Sequence, residues 1–193
     1  MSKIMFSRKN NIYPEFSNYH IKPFVYGNIM WDSVEAAFQA QKSLDNEIRK
    51  QFASLTPGQA KSRGRKVLLR PDWETVKYDL MYEICLEKFK QNEDLNELLL
   101  STGDALLVEN TTGWHDNIWG CCLCNRCRNS KSRNNLGVIL MRVRLELAGK
   151  PIPAKFVLGS DEVKFDFDSE DFRKQKNTLA GIEVFSNIYK YAK

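Results

Sequence analysis

Apolar residues recur at helical and strand spacings along most of the first 150 positions, and these spacings predict a chain of short elements dominated by helices. Asp32-Ser-Val-Glu35 is a variant capping box that predicts a helix running to about Leu44. A second short helix is predicted over residues 46–54. The segment before them, residues 6–31, is predicted to form short extended pieces interrupted by Asn10, Asn11, Pro14, Pro23 and Gly27.

Two prolines predict further helix starts. Thr56 followed by Pro57 is a cap with proline at the first helical position, and Pro71 is predicted to begin a long helix to about Asn92. Apolar positions recur there at three- and four-residue steps. A helix over 94–101 and a strand over 105–110 follow. A polar, cysteine-rich loop over 111–133 then precedes a helix over 136–147, which Asn134 or Asn135 can cap.

The clearest boundary in the chain is Gly149-Lys-Pro-Ile-Pro153. It predicts a domain over residues 1–149 and a C-terminal extension over 150–193 that packs on it. Two alternating stretches around Gly159-Ser-Asp161 predict a β-hairpin in the extension, and a closing helix is expected from Ser169. A lid over a pocket and an edge for dimer pairing both remain open as roles for this hairpin.

The composition is that of an ordinary soluble globular protein: 193 residues, 42% apolar and 27% charged. No apolar run reaches the ~20 residues of a membrane span, and the first residues lack the pattern of a signal peptide, so we expect no membrane association and a cytoplasmic location. The net charge of +5 favours anionic ligands, with phosphates and nucleic acid as the two alternatives.

The most informative stretch is the predicted helix that begins near Ser33. Glu35, Gln39 and Lys42 fall one turn apart on the same face. A carboxylate, an amide and an ammonium on one rigid face suit a polar pocket, although Glu35 can also simply complete the helix cap. The spacing alone leaves both interpretations open.

Several further motifs occur in register with that helix over residues 6 to about 148: Phe16-Ser-Asn18, Trp31 with Ser33-Val-Glu35, Phe38-Gln-Ala-Gln-Lys42, Gly64-Arg65, Arg70-Pro-Asp-Trp-Glu74, Lys77, Leu107-Val-Glu109, Asp116 with Trp119-Gly120, and Asn134-Asn-Leu-Gly137. As a set, they resemble the NADAR or YbiA-like family of N-glycosidases. The resemblance implies a compact, single-domain, helix-dominated α+β fold.

The same resemblance implies hydrolysis of a bond between ribose C1′ and a nitrogen. Two substrate classes compete: ribosylaminopyrimidine phosphates, which are early riboflavin-pathway intermediates, and ADP-ribosylated guanine in DNA or nucleotides. The chain departs from the family pattern at Ser132, where glycine is usual, in the cysteine-rich insert and in the last ~45 residues. These departures concern substrate choice more than reaction type. A non-catalytic NAD- or ADP-ribose-binding module is the alternative function.

Cleaving a ribosyl C–N bond builds positive charge on C1′ and negative charge on the leaving nitrogen, so carboxylates are expected at the site. Glu35 is the first candidate for the catalytic carboxylate and Asp116 the second. Lys42 is the third catalytic candidate, and it can bind phosphate, tune Glu35 or trap the opened ribose as a Schiff base.

The remaining motif residues are expected to bind substrate. Aromatic rings can stack on a base or ribose, Asp72 can hold ribose hydroxyls, and the cations can clamp a phosphate. Asn134 can cap a helix or orient a phosphate toward its free N–H groups. The predicted substrate-binding residues are Asn18, Trp31, Gln39, Arg65, Arg70, Asp72, Trp73, Lys77, Trp119, Gly120 and Asn134.

Four of the five cysteines fall within seven residues, which fits a reducing compartment better than a disulfide scaffold. Cys121, Cys124 and Cys127 with His115 form a candidate structural zinc site, although one short loop can place four ligands around the same ion only with difficulty. Free thiols and redox chemistry are the alternatives. No cofactor and no metal are expected in the reaction itself.

Overall fold

The computed structural model describes residues 2–9, 11–127 and 129–150. Short strands and helices follow one another along these residues. In chain order they are β1 (Lys3–Phe6), a 3-10 turn (Pro14–Phe16), β2 (Phe24–Tyr26), β3 (Ile29–Trp31), α1 (Val34–Ala40), α2 (Asn46–Lys50), α3 (Pro57–Gly64), α4 (Trp73–Lys90), α5 (Glu93–Ser101), β4 (Leu106–Glu109) and α6 (Asn135–Leu147).

The strands form two small two-stranded sheets. β1 pairs in parallel with β4, in a register that places Lys3 opposite Leu106 and Phe6 opposite Glu109. β2 and β3 form an antiparallel hairpin, and its turn residues Gly27 and Asn28 both have positive φ, as a tight hairpin requires. The sequence indicated only interrupted extended pieces here, and it left β1 unassigned.

The long helix α4 lies at the centre of the packing and contacts α1, α5, α6 and the β2–β3 hairpin. α6 packs against both α4 and β4, and most of its residues are buried. Large side chains from every part of the domain meet between these elements, including Phe6, Phe16, Phe24, Trp31 and Phe89. The predicted compact, helix-dominated α+β fold is confirmed.

Two predicted helix boundaries are wrong for local reasons. α1 ends at Ala40, because the next backbone N–H groups, those of Lys42 and Ser43, bond three residues back rather than four and tighten the chain into a turn. α4 begins at Trp73 rather than at Pro71, since the Asp72 carbonyl accepts the first helical bonds. By contrast, the Thr56 cap with Pro57 at the first position of α3 is present as a full capping box.

A buried lysine joins α4 to the segment that leads into the site. Lys88 is 1% exposed, and its Nζ donates hydrogen bonds to the carbonyls of Glu15 (2.6 Å) and Ser17 (3.4 Å). Burial lowers the pKa of Lys88 to about 8. Because its amine satisfies two carbonyls, this lysine fixes the backbone immediately before Asn18.

The predicted hairpin and helix of the C-terminal extension lie outside the described residues, so their arrangement stays a prediction. Within residues 2–9, 11–127 and 129–150, no helix combines the length and the apolar character that crossing a bilayer requires.

Candidate active site

A cavity of about 850 Å³ opens between α1, α4, the end of β4 and the loop over residues 114–119. It brings together residues predicted from positions a hundred residues apart in the chain. The predicted site residues that line it are Asn18, Glu35, Gln39, Lys42, Arg65, Trp73, Lys77, Asp116 and Trp119.

Glu35 faces this cavity from the first turn of α1. The helix start is set by Ser33, whose Oγ accepts a hydrogen bond from the N–H of Ala36 (3.1 Å), so capping does not occupy the Glu35 carboxylate. Gln39 lies one turn on, and its Nε2 donates to Glu35 Oε1 at 3.0 Å. Glu35 is 5% exposed, and burial raises its pKa, while Lys61, Gln39 and Lys42 partly offset the rise.

Lys42 reaches the same cavity from the turn that follows α1, not from the helix itself. Its Nζ donates to the carbonyl of Gly64 at 3.2 Å and lies 5.7 Å from the ring centroid of Trp73. Burial lowers the pKa of Lys42, and the Glu35 carboxylate partly offsets this. Gly64 also permits a close approach, because a Cβ there would lie 2.0 Å from Gln39 Oε1.

One wall of the cavity is aromatic. Phe38 lies between two indoles, with ring centroids 5.0 Å from Trp73 and 5.3 Å from Trp119. Tyr78 packs on the outer side of Trp119 at 5.4 Å. Trp73 and Trp119 therefore hold fixed orientations that combine packing with an apolar surface for a substrate ring.

Glu109 also lines the cavity, although the sequence did not single it out as a site residue. It is the last residue of β4, and burial together with the negative charges of Asp116 and Glu35 raises its pKa to about 8. At neutral pH this carboxyl therefore holds a proton. A charged side chain ending an apolar strand, Leu107-Val-Glu109, was the signal available in the sequence.

Cations outnumber anions around the cavity. Arg8 and Lys61 join the predicted Lys42, Arg65 and Lys77, against the acidic side chains Glu35, Glu109 and Asp116, which gives the lining a formal charge of +2 when all three acids are counted as ionised. The Arg8 guanidinium lies 3.9 Å from the ring centroid of Tyr19 and 5.1 Å from that of Trp114. The sequence missed this group because it depends on the N-terminal segment lying beside the loop over 114–119.

Asp116 lines the cavity, but its carboxylate also stabilises the loop over residues 114–119 through hydrogen bonds. Oδ1 accepts hydrogen bonds from the N–H groups of Ile118 and Trp119, both at 2.9 Å, and Thr111 Oγ1 donates to its backbone carbonyl. The residue thus orients Trp119 toward Phe38.

Five predicted substrate-binding residues lie away from the cavity lining, and three of them are Trp31, Arg70 and Asp72. Trp31 is fully buried in the core, where its Nε1 donates to the carbonyl of Tyr26 at 2.9 Å. Arg70 and Asp72 bind each other through two hydrogen bonds of 2.6 and 2.8 Å at the protein surface. This pairing satisfies the groups that were expected to bind phosphate and ribose.

Gly120 and Asn134 support β4 rather than line the cavity. A Cβ on Gly120 would lie 2.7 Å from the carbonyl of Glu109, so only glycine fits this close approach. Asn134 is fully buried, and its amide donates to the Leu107 carbonyl (2.9 Å) while its oxygen accepts from the Glu109 N–H (3.0 Å). The Asn134 side chain does not cap α6, because its amide group instead makes the hydrogen bonds that a neighbouring strand would make with β4.

The predicted cysteine set changes by one residue. Cys121 is buried in the hydrophobic core and forms a backbone bridge with Asn110. The side chains of Cys122, Cys124, Cys127 and His115 converge beside the cavity instead.

Comparison with known proteins identifies the fold and the family. The NADAR domain matches residues 5–148, which covers the strands, the helices and the cavity described above. The chain belongs to the NADAR domain family. It is 35% identical over 148 residues to N-glycosidase YbiA from Shigella flexneri, a match that covers 75% of this chain and 88% of that protein.

Two further similarities agree with the family assignment. The NMR structure of the Escherichia coli protein YbiA matches with a TM-score of 0.65 and 34% identity, covering 77% of this chain and 87% of that one. The chloroplastic riboflavin biosynthesis protein PYRR from Zea mays is 32% identical over 142 residues, covering 67% of this chain and 22% of that longer protein. The N-glycosidase relatives identify this NADAR protein as a glycosyl hydrolase.

Proposed function

We propose that this NADAR protein hydrolyses the bond between C1′ of a phosphorylated ribose and a base nitrogen. The observation that carries the proposal is a pair of cavity glutamates, Glu35 and Glu109, in different electrostatic environments. Burial raises the pKa of both carboxyls, but nearby cations and the Gln39 hydrogen bond partly offset the rise at Glu35, whereas the negative charges of Asp116 and Glu35 add to it at Glu109. Glu35 is therefore the better suited of the two to act as the base, and Glu109 as the acid, that this reaction requires.

In the reaction, the C1′–N bond breaks, a water oxygen bonds to C1′, and a proton goes to the departing nitrogen. The Glu35 carboxylate stabilises the positive charge on C1′ and accepts a proton from the attacking water. Glu109 donates its proton to the nitrogen. We assign the acid role to Glu109 rather than to Asp116, because one oxygen of Asp116 already accepts two backbone hydrogen bonds.

The remaining lining fits a phosphorylated nucleoside-like substrate. The formal charge of +2 attracts an anion, and the indoles of Trp73 and Trp119 offer a planar apolar surface to a base. Among the described residues, Gln39 Oε1 has no hydrogen-bond partner although it is buried, so a substrate hydroxyl or amine can donate to it.

The cavity accommodates either substrate class that the family resemblance implies. Its volume of about 850 Å³ lies in the upper part of the ~300–1,000 Å³ typical of small-molecule sites. The match to a protein named for riboflavin biosynthesis supports a ribosylaminopyrimidine phosphate as the first candidate. The Arg8 guanidinium between two aromatic rings supports ADP-ribosyl-guanine as the second, since that substrate carries a pyrophosphate and two bases.

The test is to incubate the protein with a ribosylaminopyrimidine phosphate and, separately, with ADP-ribosyl-guanosine. Release of ribose phosphate or of ADP-ribose is followed by mass spectrometry. We expect one substrate to be cleaved, and Glu35→Gln to lose at least ~10²-fold in turnover while still binding it. Glu97→Gln, an exposed substitution on α5, is the matched control and should keep full activity.

Two results would overturn the proposal. Binding of ADP-ribose without release of base from either substrate over hours would make the protein a binding module instead. Full activity in Glu35→Gln would show that the reaction does not use this carboxylate.

A further inference from the structure

The side chains of His115, Cys122, Cys124 and Cys127, which we call the His–Cys cluster, occupy an unusually small volume. Their ligand atoms all lie within 4.8 Å of one another. The three sulfurs lie 3.6, 3.4 and 3.4 Å from the same atom, Nδ1 of His115, and the Sγ atoms of Cys122 and Cys124 are 3.4 Å apart.

Hydrogen bonding does not account for this convergence. An imidazole Nδ1 either donates one hydrogen or accepts through one lone pair, so it can satisfy only one of the three thiols. Four ligands around a tetrahedral Zn²⁺, with Zn–S near 2.3 Å and Zn–N near 2.05 Å, lie ~3.6 Å apart for sulfur and nitrogen and ~3.8 Å apart for two sulfurs. The four separations given above, 3.4–3.6 Å, are close to these edges of a tetrahedron.

The surrounding loop holds the four ligands by its own backbone bonds. His115 adopts a left-handed conformation (φ 58°), and its N–H donates to the Thr111 carbonyl. A tight turn links Cys124 to Cys127 through an N–H···O bond of 2.9 Å. Asn117 Oδ1 accepts from the N–H of Cys122 at 3.0 Å. The loop therefore closes on itself, which resolves the difficulty of drawing four ligands from thirteen consecutive residues.

We propose that the His–Cys cluster binds one Zn²⁺ through His115 Nδ1 and the thiolates of Cys122, Cys124 and Cys127. Binding displaces three thiol protons and leaves no open coordination position, so the ion is structural and takes no part in hydrolysis. Its role is to fix the loop over residues 114–119, which supplies His115, Asp116 and Trp119 to the cavity wall.

The experiment uses the full chain, purified without an affinity tag that binds metal. Elemental analysis should find one zinc per chain. After removal of zinc with a chelator, added Co²⁺ should give the intense visible absorption of a tetrahedral thiolate site. Thiol titration of the native protein should show that Cys124 becomes reactive once zinc has been removed, because Cys85, Cys121, Cys122 and Cys127 are all buried.

Two variants separate the ligands from their neighbour. Cys124→Ser should lose zinc, whereas Cys121→Ala, which alters the adjacent core cysteine, should retain it. A zinc-free protein whose metal-free form gives no cobalt spectrum would overturn the proposal, even if Cys124→Ser fails to fold. Retention of zinc by Cys124→Ser, or a Cys124 thiol that reacts equally before and after chelation, would also contradict it.

Discussion

The protonated state of Glu109 predicts how the stability of the protein depends on pH. The pKa of this carboxyl rises from 4.5 to about 8 on folding, so between those values the native protein holds a proton that the unfolded chain has released. The free energy of unfolding must therefore fall as pH rises through this window. Glu109→Gln removes the titrating group while keeping a neutral side chain of the same shape, so the variant should not show this loss.

The magnitude follows from the change in pKa at ~1.4 kcal/mol for each tenfold change in proton affinity. The raised pKa corresponds to a limit of roughly 5 kcal/mol, and partial contact of Glu109 with cavity water reduces this to roughly 2–5 kcal/mol. Domains of this kind are stable by roughly 5–15 kcal/mol in total. The wild-type protein should thus lose a substantial part of its stability between about pH 4.5 and pH 8.

Urea unfolding of the wild-type protein and Glu109→Gln at about pH 5, 7 and 9 measures the effect. Subtracting one series from the other cancels the contributions of the titrating groups that do not interact with Glu109. We expect the two proteins to be nearly equal at the lowest pH and the variant to gain relative stability as pH rises. Glu97→Gln serves as the control, since this side chain is exposed on α5. A difference between wild type and Glu109→Gln that stays constant with pH would refute the reasoning.

Three further predictions concern the supports of the site. Lys42→Met should move the acid limb of the pH–rate profile to higher pH, because the Lys42 ammonium lowers the pKa of Glu35. Lys66→Met, which changes an exposed lysine, is the control. An acid limb that does not move would contradict the role of Glu35 as the ionised carboxylate. Gly64→Ala should displace Gln39 and lower kcat several-fold, whereas Gly58→Ala on the same helix meets open space and should not. Asn134→Ala should destabilise the fold by about 2–4 kcal/mol, because it leaves two backbone groups of β4 without hydrogen-bond partners. Thermal unfolding measures this loss, and a value below about 1 kcal/mol would contradict the role of Asn134 in supporting β4.

Local patterns in the sequence predicted much of the fold. Helix periodicity identified α4 and α6, and the Thr56 cap identified the start of α3, because these features depend on residues a few positions apart. The pairing of β1 with β4 could not be found in this way. The two strands are separated along the chain by several helices, and although β4 was predicted as a strand, β1 has no strong pattern of its own.

The site was predicted where one element carries several of its residues. Glu35, Gln39 and Lys42 were found together because α1 and its turn place them on one side. Arg70 and Asp72, which were also predicted, lie outside the cavity lining and pair with each other, and the sequence gives no sign of such pairing. Glu109 was missed because its raised pKa arises from burial and from the charges of Asp116 and Glu35, which only the folded chain brings near it.

The parallel pairing of β1 with β4 also has a consequence for biosynthesis. Lys3 pairs with Leu106 and Phe6 with Glu109, so roughly a hundred residues separate the partners. During translation, β1 remains unpaired until β4 has left the ribosome, and closing the long loop between the two strands is slow. A nascent chain released before that point carries Glu35 and Lys42 but cannot position Glu109. Hydrolytic activity should therefore arise only after β4 has left the ribosome and paired with β1.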